Sequence, residues 1–285
     1  MSENKKNVLI LGATGWLGRS TIRHLNSYFN NIEFDLFSSK KQIIKIENNN
    51  FTTKTISEID EIKRKEYDYY LNFAFLTQDK ISKLGEKKYL EITDNIIKIE
   101  KTLTQNINIK KSLLFSSGAV YWKNTKKENL YTLQKLKQEE EFIKNMKDSN
   151  YYISRIFATI AYNFELQNKY AFTSFVKNGL SRKPIEVKSN HEVVRSYLYF
   201  NCLIDFFLTT LQPSRIFDAW NKNYSIVDLA YLIGSIFNVE VILPELYSLK
   251  NPKDIYVSKD NFFPNITTSN ITIENIKSTI NFTLK

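Results

Sequence analysis

Seven glycines serve all 285 residues, yet three of them stand in one seven-residue window, Gly12-Ala-Thr-Gly15-Trp-Leu-Gly18. The window follows an unbroken apolar run, Val8-Leu-Ile-Leu, and opens into Trp16 to Phe29, where Leu17, Ile22 and Leu25 fall on one side. Buried strand, glycine turn and helix in that order are what a dinucleotide-binding loop requires. Gly12 permits the tight turn, Gly15 lets the backbone approach a pyrophosphate, and Gly18 lets the helix pack close to the strand. The helix N-terminus then offers N–H groups and the positive end of a dipole to the phosphates.

The pattern repeats downstream. Ile32–Phe37 alternates and reads as a second strand, a weak third is expected near Phe51 to Thr55, and Asp68 to Phe75 reads as another. Tyr89 to Leu103 reads as a helix with Ile92, Ile96, Ile99 and Leu103 at helical spacing. A strand at Ser112–Ser117, a charged helix at Tyr131–Met146 and a strand at Tyr152–Phe157 follow. Such units imply an α/β fold: a Rossmann-type, doubly wound parallel sheet with helices on both faces. The periodicity loosens in the second half, where short strands and helices suggest a small C-terminal α/β domain. The expected division is residues 1–160 for dinucleotide binding, with a return of 190–220, and 161–285 mainly for substrate.

Composition excludes several alternatives. Hydrophobic residues at 42% and charged residues at 25% are ordinary for a globular protein. A single cysteine, Cys202, rules out an internal disulfide, and with only His24 and His191 no metal site is expected. No secretory signal is visible, and the greasiest stretch, Tyr197 to Leu211, holds Asn201 and Asp205 and is too short and polar to span a bilayer. A cytoplasmic protein is expected. The net charge of +10 is spread along the chain with no basic block, so neither nucleic acid nor membrane is expected as a partner, whereas an anionic small substrate suits it.

The Gly-x2-Gly-x2-Gly spacing resembles the extended short-chain dehydrogenase/reductase group, the NAD-dependent epimerase/dehydratase family. There, chemistry rests on a Tyr-x3-Lys pair on a helix, preceded by a Ser or Thr at a strand end. This chain has 17 tyrosines but one such pair, Tyr131-Thr-Leu-Gln-Lys135, which follows Phe115-Ser116-Ser117-Gly118-Ala-Val-Tyr121-Trp and precedes Glu139. Positions four apart share a helix face, so an ammonium at Lys135 would favour the Tyr131 phenolate. The resemblance implies Tyr131, Lys135 and Ser117 as catalytic residues. It implies a cofactor held by Gly12, Thr14, Gly15, Trp16, Leu17, Gly18, Ala74, Phe75, Asn95, Ser116, Tyr131 and Lys135. Ser117, Gly118, Tyr131 and Arg195 would contact a nucleotide-sugar substrate, and a homodimer is possible.

Strand two ends Leu36-Phe37-Ser38-Ser39-Lys40-Lys41, with Asp35 inside the strand. An acidic residue just past that strand would favour NAD by binding the ribose 2′-hydroxyl, whereas small and basic residues accept a 2′-phosphate. NADP(H) is therefore expected, around Ser38, Ser39 and Lys40, with NAD possible. The chain also departs from the family pattern. Ala158 stands where many members carry a substrate-binding Asn, Trp122 where a Gly is usual, and Gly118-Ala119 where resembling 4,6-dehydratases carry an Asp-Glu pair. The last argues against dehydration. The expected activity is reduction of a 4-keto nucleotide-sugar for surface-polysaccharide assembly, with 4-epimerisation on tightly held NAD, or a non-catalytic dinucleotide sensor, as alternatives. Cys202 is expected to be a buried thiol and His191 a loop residue.

Overall fold

The computed structural model describes residues 5–63, 65–146, 149–163, 170–248, 253–266 and 271–283. The first part of the chain runs β1 (Lys6–Leu11), α1 (Trp16–Tyr28), β2 (Ile32–Phe37), β3 (Ile43–Ile46), β4 (Asn49–Thr52), β5 (Glu66–Asn72), α2 (Lys80–Leu84), α3 (Glu86–Gln105), β6 (Asn108–Ser117), α4 (Leu130–Met146) and β7 (Asn150–Ile156). The rest runs β8 (Ala158–Ile160), α5 (Ala171–Leu180), β9 (Ile185–Glu186), β10 (Val193–Tyr199), α6 (Phe200–Thr209), β11 (Arg215–Ala219), β12 (Lys222–Ser225), α7 (Ile226–Phe237), β13 (Val241–Ile242), β14 (Asp254–Tyr256), α8 (Phe262–Ile266) and α9 (Ile273–Thr283). It divides into two compact units, Met1–Arg155 with Thr209–Phe217, and Ile156–Leu208 with Asp218–Lys285.

The first unit is built on a six-stranded sheet in the order β11-β7-β6-β5-β1-β2. β1 lies parallel to both β2 and β5, and β5 parallel to β6. The strand order reverses at β1, and ligands of open α/β sheets bind at such a switch point, beyond the carboxyl ends of the strands. The register aligns those ends: Leu11 stands opposite Phe37 on one side and Asn72 on the other. β6 runs three residues past its partner pair Asn72–Leu114, which carries Phe115, Ser116 and Ser117 beyond the end of β5. Burial of Val8, Leu9, Ile10 and Leu11 explains the unbroken apolar run, because a central parallel strand is covered on both faces. One side of the core gathers Leu9, Leu11, Tyr70, Leu103, Leu114, Phe142 and Met146. The returning segment is tied in by polar anchors. Lys111 Nζ donates to the Thr210 carbonyl at 2.8 Å, the Tyr151 N–H to Ser214 Oγ at 3.0 Å, and the Tyr152 hydroxyl to the Gln212 carbonyl.

In the second unit β10 pairs antiparallel with β12 and parallel with β14 and β8, while β9 and β13 form a separate parallel pair. Ser225 caps α7 by accepting from the Asp228 N–H. A buried network joins Ser258 to Asp218 and Ser196.

Two local expectations are refined, and one element carried no expectation. The strand expected near Phe51 to Thr55 lies slightly earlier, as β4, which pairs antiparallel with β3 outside the main sheet, while Lys54 makes a single parallel bridge with Phe37. The buried face of α3 is Tyr89, Thr93, Ile97, Glu100 and Leu103, so Ile92, Ile96 and Ile99 are only half-buried. Polar Thr93 and Glu100 on the inner face hid the true stripe. Finally, Phe200–Thr209 is a helix buried on nearly every side. Asn201 is buried among the apolar residues, so polarity does not mark the outer face there.

Candidate active site

The glycine loop occupies the turn between β1 and α1. Gly12 has φ +86, and a Cβ there would stand 2.7 Å from the Ala74 nitrogen. Its N–H donates to the Phe37 carbonyl at 2.9 Å, so the turn is clamped between the ends of β2 and β5. A Cβ on Gly18 would lie 2.4 Å from the Gly12 carbonyl, so that residue is fixed by helix-to-turn packing. Gly15 differs from both. Its φ of −74 suits any residue, and a Cβ would meet only the Gly12 oxygen at 3.4 Å. Nothing inside the chain demands glycine at 15, which leaves close approach of a group from outside. The first turn of α1 has no acid and no side-chain cap, and Arg19 Nε braces the loop by donating to the Thr14 carbonyl at 3.1 Å. These features fit a dinucleotide diphosphate. Gly15→Ala is expected to keep the thermal midpoint while weakening dinucleotide binding about tenfold. Gly18→Ala is expected to destabilise the fold by about 1–3 kcal/mol through overpacking. Calorimetry and dinucleotide titration of both variants check this.

Tyr131 stands in the first turn of α4. Asn129 Oδ1 accepts from the Thr132 N–H at 3.1 Å, and Thr132 Oγ1 donates to the Ala119 carbonyl at 3.2 Å. That bond ties the start of α4 to the short 3-10 turn Gly118–Trp122, whose N-cap is Ser117, with Oγ accepting from the Ala119 N–H. One turn along, buried Lys135 donates to the Phe115 carbonyl at 2.9 Å and to Gln138 Oε1 at 3.0 Å. Its ammonium lies 4.0 Å from the centroid of the Phe75 ring, and that ring meets Tyr131 edge-on at 6.1 Å. Burial pushes the Lys135 amine down to about 7, against the opposing pull of Glu139 and Glu100. Phe75, Tyr131, Lys135 and the end of β6 are thus brought together, and Ala74 is brought against the glycine loop.

Behind Lys135 lies a polar set that sequence reasoning missed. Gln138 Nε2 donates to the Ala74 carbonyl at 3.3 Å and to Glu100 Oε2 at 3.4 Å. Glu100 is buried on α3, and burial raises its carboxyl to about 8. The inward face of α4 is polar in its first half, Thr132, Gln134, Lys135, Gln138 and Glu139, and apolar only later, at Phe142 and Met146.

Glu139 and Ser116 have structural partners. Arg155 grips Glu139 with two bonds, Nε to Oε1 at 3.0 Å and Nη2 to Oε2 at 2.7 Å, and Ser116 Oγ donates to Glu139 Oε1 at 2.5 Å. Arg155 Nη1 also donates to the Tyr121 hydroxyl at 3.1 Å. Strands β6 and β7 are thereby locked to α4 at the level of the site. The Ser116 hydroxyl, expected on the cofactor, is engaged by a carboxylate.

At the end of β2, Asp35 is buried and held by Lys54, Lys65 and the Tyr67 hydroxyl, at 3.0, 2.8 and 2.7 Å. These donors hold its carboxyl below the usual range in spite of burial. No carboxylate therefore follows the strand. Ser38 Oγ lies 3.1 Å from Thr53 Oγ1 and donates to the Lys40 carbonyl at 2.5 Å, so its hydroxyl is engaged inside the turn. Ser39 and Lys40 are exposed.

One expected residue faces away on its helix, and another belongs to the second unit. Asn95 is exposed on α3, across the helix from Thr93 and Ile97, because the helix turns Glu100 inward instead. Arg195 belongs to the second unit, where its guanidinium donates to the Asp254 carboxylate at 2.5 Å and carbonyl at 2.8 Å. Cys202 is buried in α6, and His191 lies in the bend before β10. Among the described residues no group of acidic, histidine and cysteine side chains is placed to hold a metal, and no helix is long and apolar enough to cross a membrane.

The model of the NAD dependent epimerase/dehydratase family matches residues 8–222. No curated relative matches the sequence. Among solved structures, a UDP-N-acetylglucosamine 4-epimerase from Methanobrevibacter ruminantium M1, in complex with UDP-N-acetylmuramic acid, is similar with a TM-score of 0.71 at 16% identity, over 99% of each chain. A UDP-glucose 4-epimerase from Thermotoga maritima with UDP-glucose gives 0.68 at 15%, over 98% of this chain and 100% of the other. A UDP-glucuronic acid 4-epimerase from Bacillus cereus, in complex with UDP-glucuronic acid and NAD, gives 0.66 at 15%, over 98% and 99%. At these identities the likeness speaks to the fold.

Proposed function

The chain belongs to the NAD-dependent epimerase/dehydratase family, and we propose that within it the protein is an NADP(H)-dependent reductase of a 4-keto nucleotide-sugar. The observation that carries the redox reading is the Tyr131–Phe75–Lys135 cluster at the extended end of β6, beside the loop that fits a diphosphate. When bound, the nicotinamide supplies hydride. Tyr131 gives its hydroxyl proton to the sugar C4 oxygen as the ketone becomes an alcohol, and solvent restores that proton. The Lys135 ammonium favours the phenolate that this leaves. Ser117 hydrogen-bonds the same oxygen and fixes its position. Arg195 is proposed to contact the nucleotide diphosphate by exchanging its hold on Asp254. The product would feed surface-polysaccharide assembly in the cytoplasm, and a homodimer is compatible with this reading.

NADP(H) is preferred because Asp35 is engaged in a buried ion pair set, while exposed Ser39 and Lys40 follow β2. A 2′-phosphate there meets a cation and no carboxylate. NADPH is expected to bind at least about tenfold tighter than NADH, measured by fluorescence titration, and the reverse order would overturn this preference.

Epimerisation on retained NAD is the second reading. It is favoured by the likeness, along nearly the full length, to 4-epimerases of UDP-sugars, one of them in complex with NAD. It needs the same Tyr131, Lys135 and Ser117. The deciding experiment follows nicotinamide absorbance with NADPH and NADH over a panel of nucleotide-linked 4-keto-6-deoxy sugars. Stoichiometric oxidation of NADPH is the expected result. No oxidation, with a dinucleotide co-purifying on the protein, would replace the reductase by the epimerase.

A further inference from the structure

Lys135 has been treated as a charge that its position provides, yet its surroundings make that charge hard to keep. It is buried, and its nearest oxygens belong to a neutral carbonyl and a neutral amide. Of the groups facing it, Phe115 of β6 offers only a carbonyl and Phe75 a ring face. Glu139 of its own helix already has both oxygens gripped by Arg155. Glu100 of α3 is the remaining carboxyl that acts on it.

Glu100 reaches the lysine through one residue. The Gln138 amide accepts from Lys135 at its oxygen and donates to Glu100 at its nitrogen. Its oxygen therefore faces the lysine amine and its NH2 the glutamate carboxyl, so that each end favours the charged form of its partner. The amide cannot turn over without setting its NH2 against the ammonium and its oxygen against the carboxylate, and the Ala74 carbonyl adds a second acceptor that holds the NH2 in place. The other groups acting on Glu100 are Asn72, which favours its anion, and Glu141, which opposes it. Tyr70 lies close enough to be affected by the carboxylate in turn. Without an ammonium nearby, an anionic Glu100 would be a buried charge lacking a counter-ion, a costly arrangement.

We propose that Glu100, acting through Gln138, is a positioning residue that sets the charge of Lys135 and so the proton affinity of Tyr131. This rests on the reading of Tyr131 and Lys135 as the catalytic pair. Glu100 and Lys135 share one proton balance: removing the carboxyl leaves the lysine only the pull of Glu139, which Arg155 already holds, and it gives up its proton at lower pH. The phenolate of Tyr131 then loses support, and Tyr131 holds its proton to higher pH.

The test is a titration of the whole protein with 13C-labelled lysine, following the Lys135 Cε signal, assigned by its loss in Lys135→Met. Glu100→Gln is expected to move the Lys135 midpoint down by roughly one pH unit. Gln138→Leu is expected to do the same, and the double variant to add little, since both cut one path. In turnover, the midpoint of the alkaline limb, where Tyr131 loses the proton it must donate, moves up in Glu100→Gln while KM is held. Circular dichroism confirms that each variant is folded, and Glu91→Gln, an exposed glutamate on the same helix, is the control. A Lys135 midpoint that Glu100→Gln leaves unmoved, or two single shifts that add fully, overturns the proposal. The titration needs no substrate. A wild-type protein inactive on every nucleotide-sugar would sink the proposed function and leave this result standing.

Discussion

Tyr131→Phe is expected to lower turnover by about 10²–10⁴-fold, the usual contribution of a placed proton donor, and to leave dinucleotide affinity unchanged. The substitution removes one oxygen. The ring keeps its edge-on contact with Phe75, and Lys135 keeps its bonds to the Phe115 carbonyl and Gln138, because none of these uses the Tyr131 hydroxyl. The glycine loop is untouched. Loss of rate with retained binding is therefore the signature of chemistry rather than of assembly. Single-turnover absorbance beside a binding titration separates the two, and a variant that turns over near the wild-type rate removes Tyr131 from the mechanism.

The second large effect is on stability. Arg155→Met is expected to destabilise the protein by about 3 kcal/mol, within the range for breaking a buried ion pair from one side. The thermal midpoint should fall by roughly 6–12 °C. Arg155 is 18% exposed and Glu139 4%, so the arginine's loss strands a carboxylate that water cannot reach. Its remaining help would be the Ser116 hydroxyl bond and the pull of Lys135. The double variant Arg155→Met, Glu139→Gln removes the stranded charge and should regain most of the loss, as coupled partners do. If the double variant falls as far as the sum of the two single ones, the pair is not what locks α4 to β6 and β7.

The parts of the site legible in the sequence were those with a local signature. Three glycines in one turn, a strand before them and a helix after them are read from neighbours in the chain. Tyr131 and Lys135 share a helix face by spacing alone. Glu100 and Gln138 could not be paired that way, because 38 positions separate them and only the packing of α3 on α4 makes them neighbours. Asp35 shows the same limit in reverse. Its alternation within the strand placed it correctly, but its three partners come from elsewhere: Lys54, Lys65 and Tyr67. Asn95 was expected in the site by resemblance, and the helix instead faces it outward because its inward positions are filled by Thr93, Ile97 and Glu100. The pairing of β4 with β3 was out of reach for a different reason. Alternation marks an extended segment but does not say which strand it will pair with.

The edge of the central sheet carries a consequence for how the molecule can be made and cut. β7 ends at Ile156, yet the strand that completes the sheet beside it begins at Arg215. A fragment stopped after residue 156 would present β7 as a bare edge, with Lys111, Tyr151 and Tyr152 deprived of the acceptors that residues 210–214 supply. Bare edges recruit strands from other molecules. During synthesis, too, the first unit cannot close until residue 217 has left the ribosome, because its outermost strand is encoded so late. An expression clone for that unit alone should therefore splice 209–217 back after β7 rather than end there.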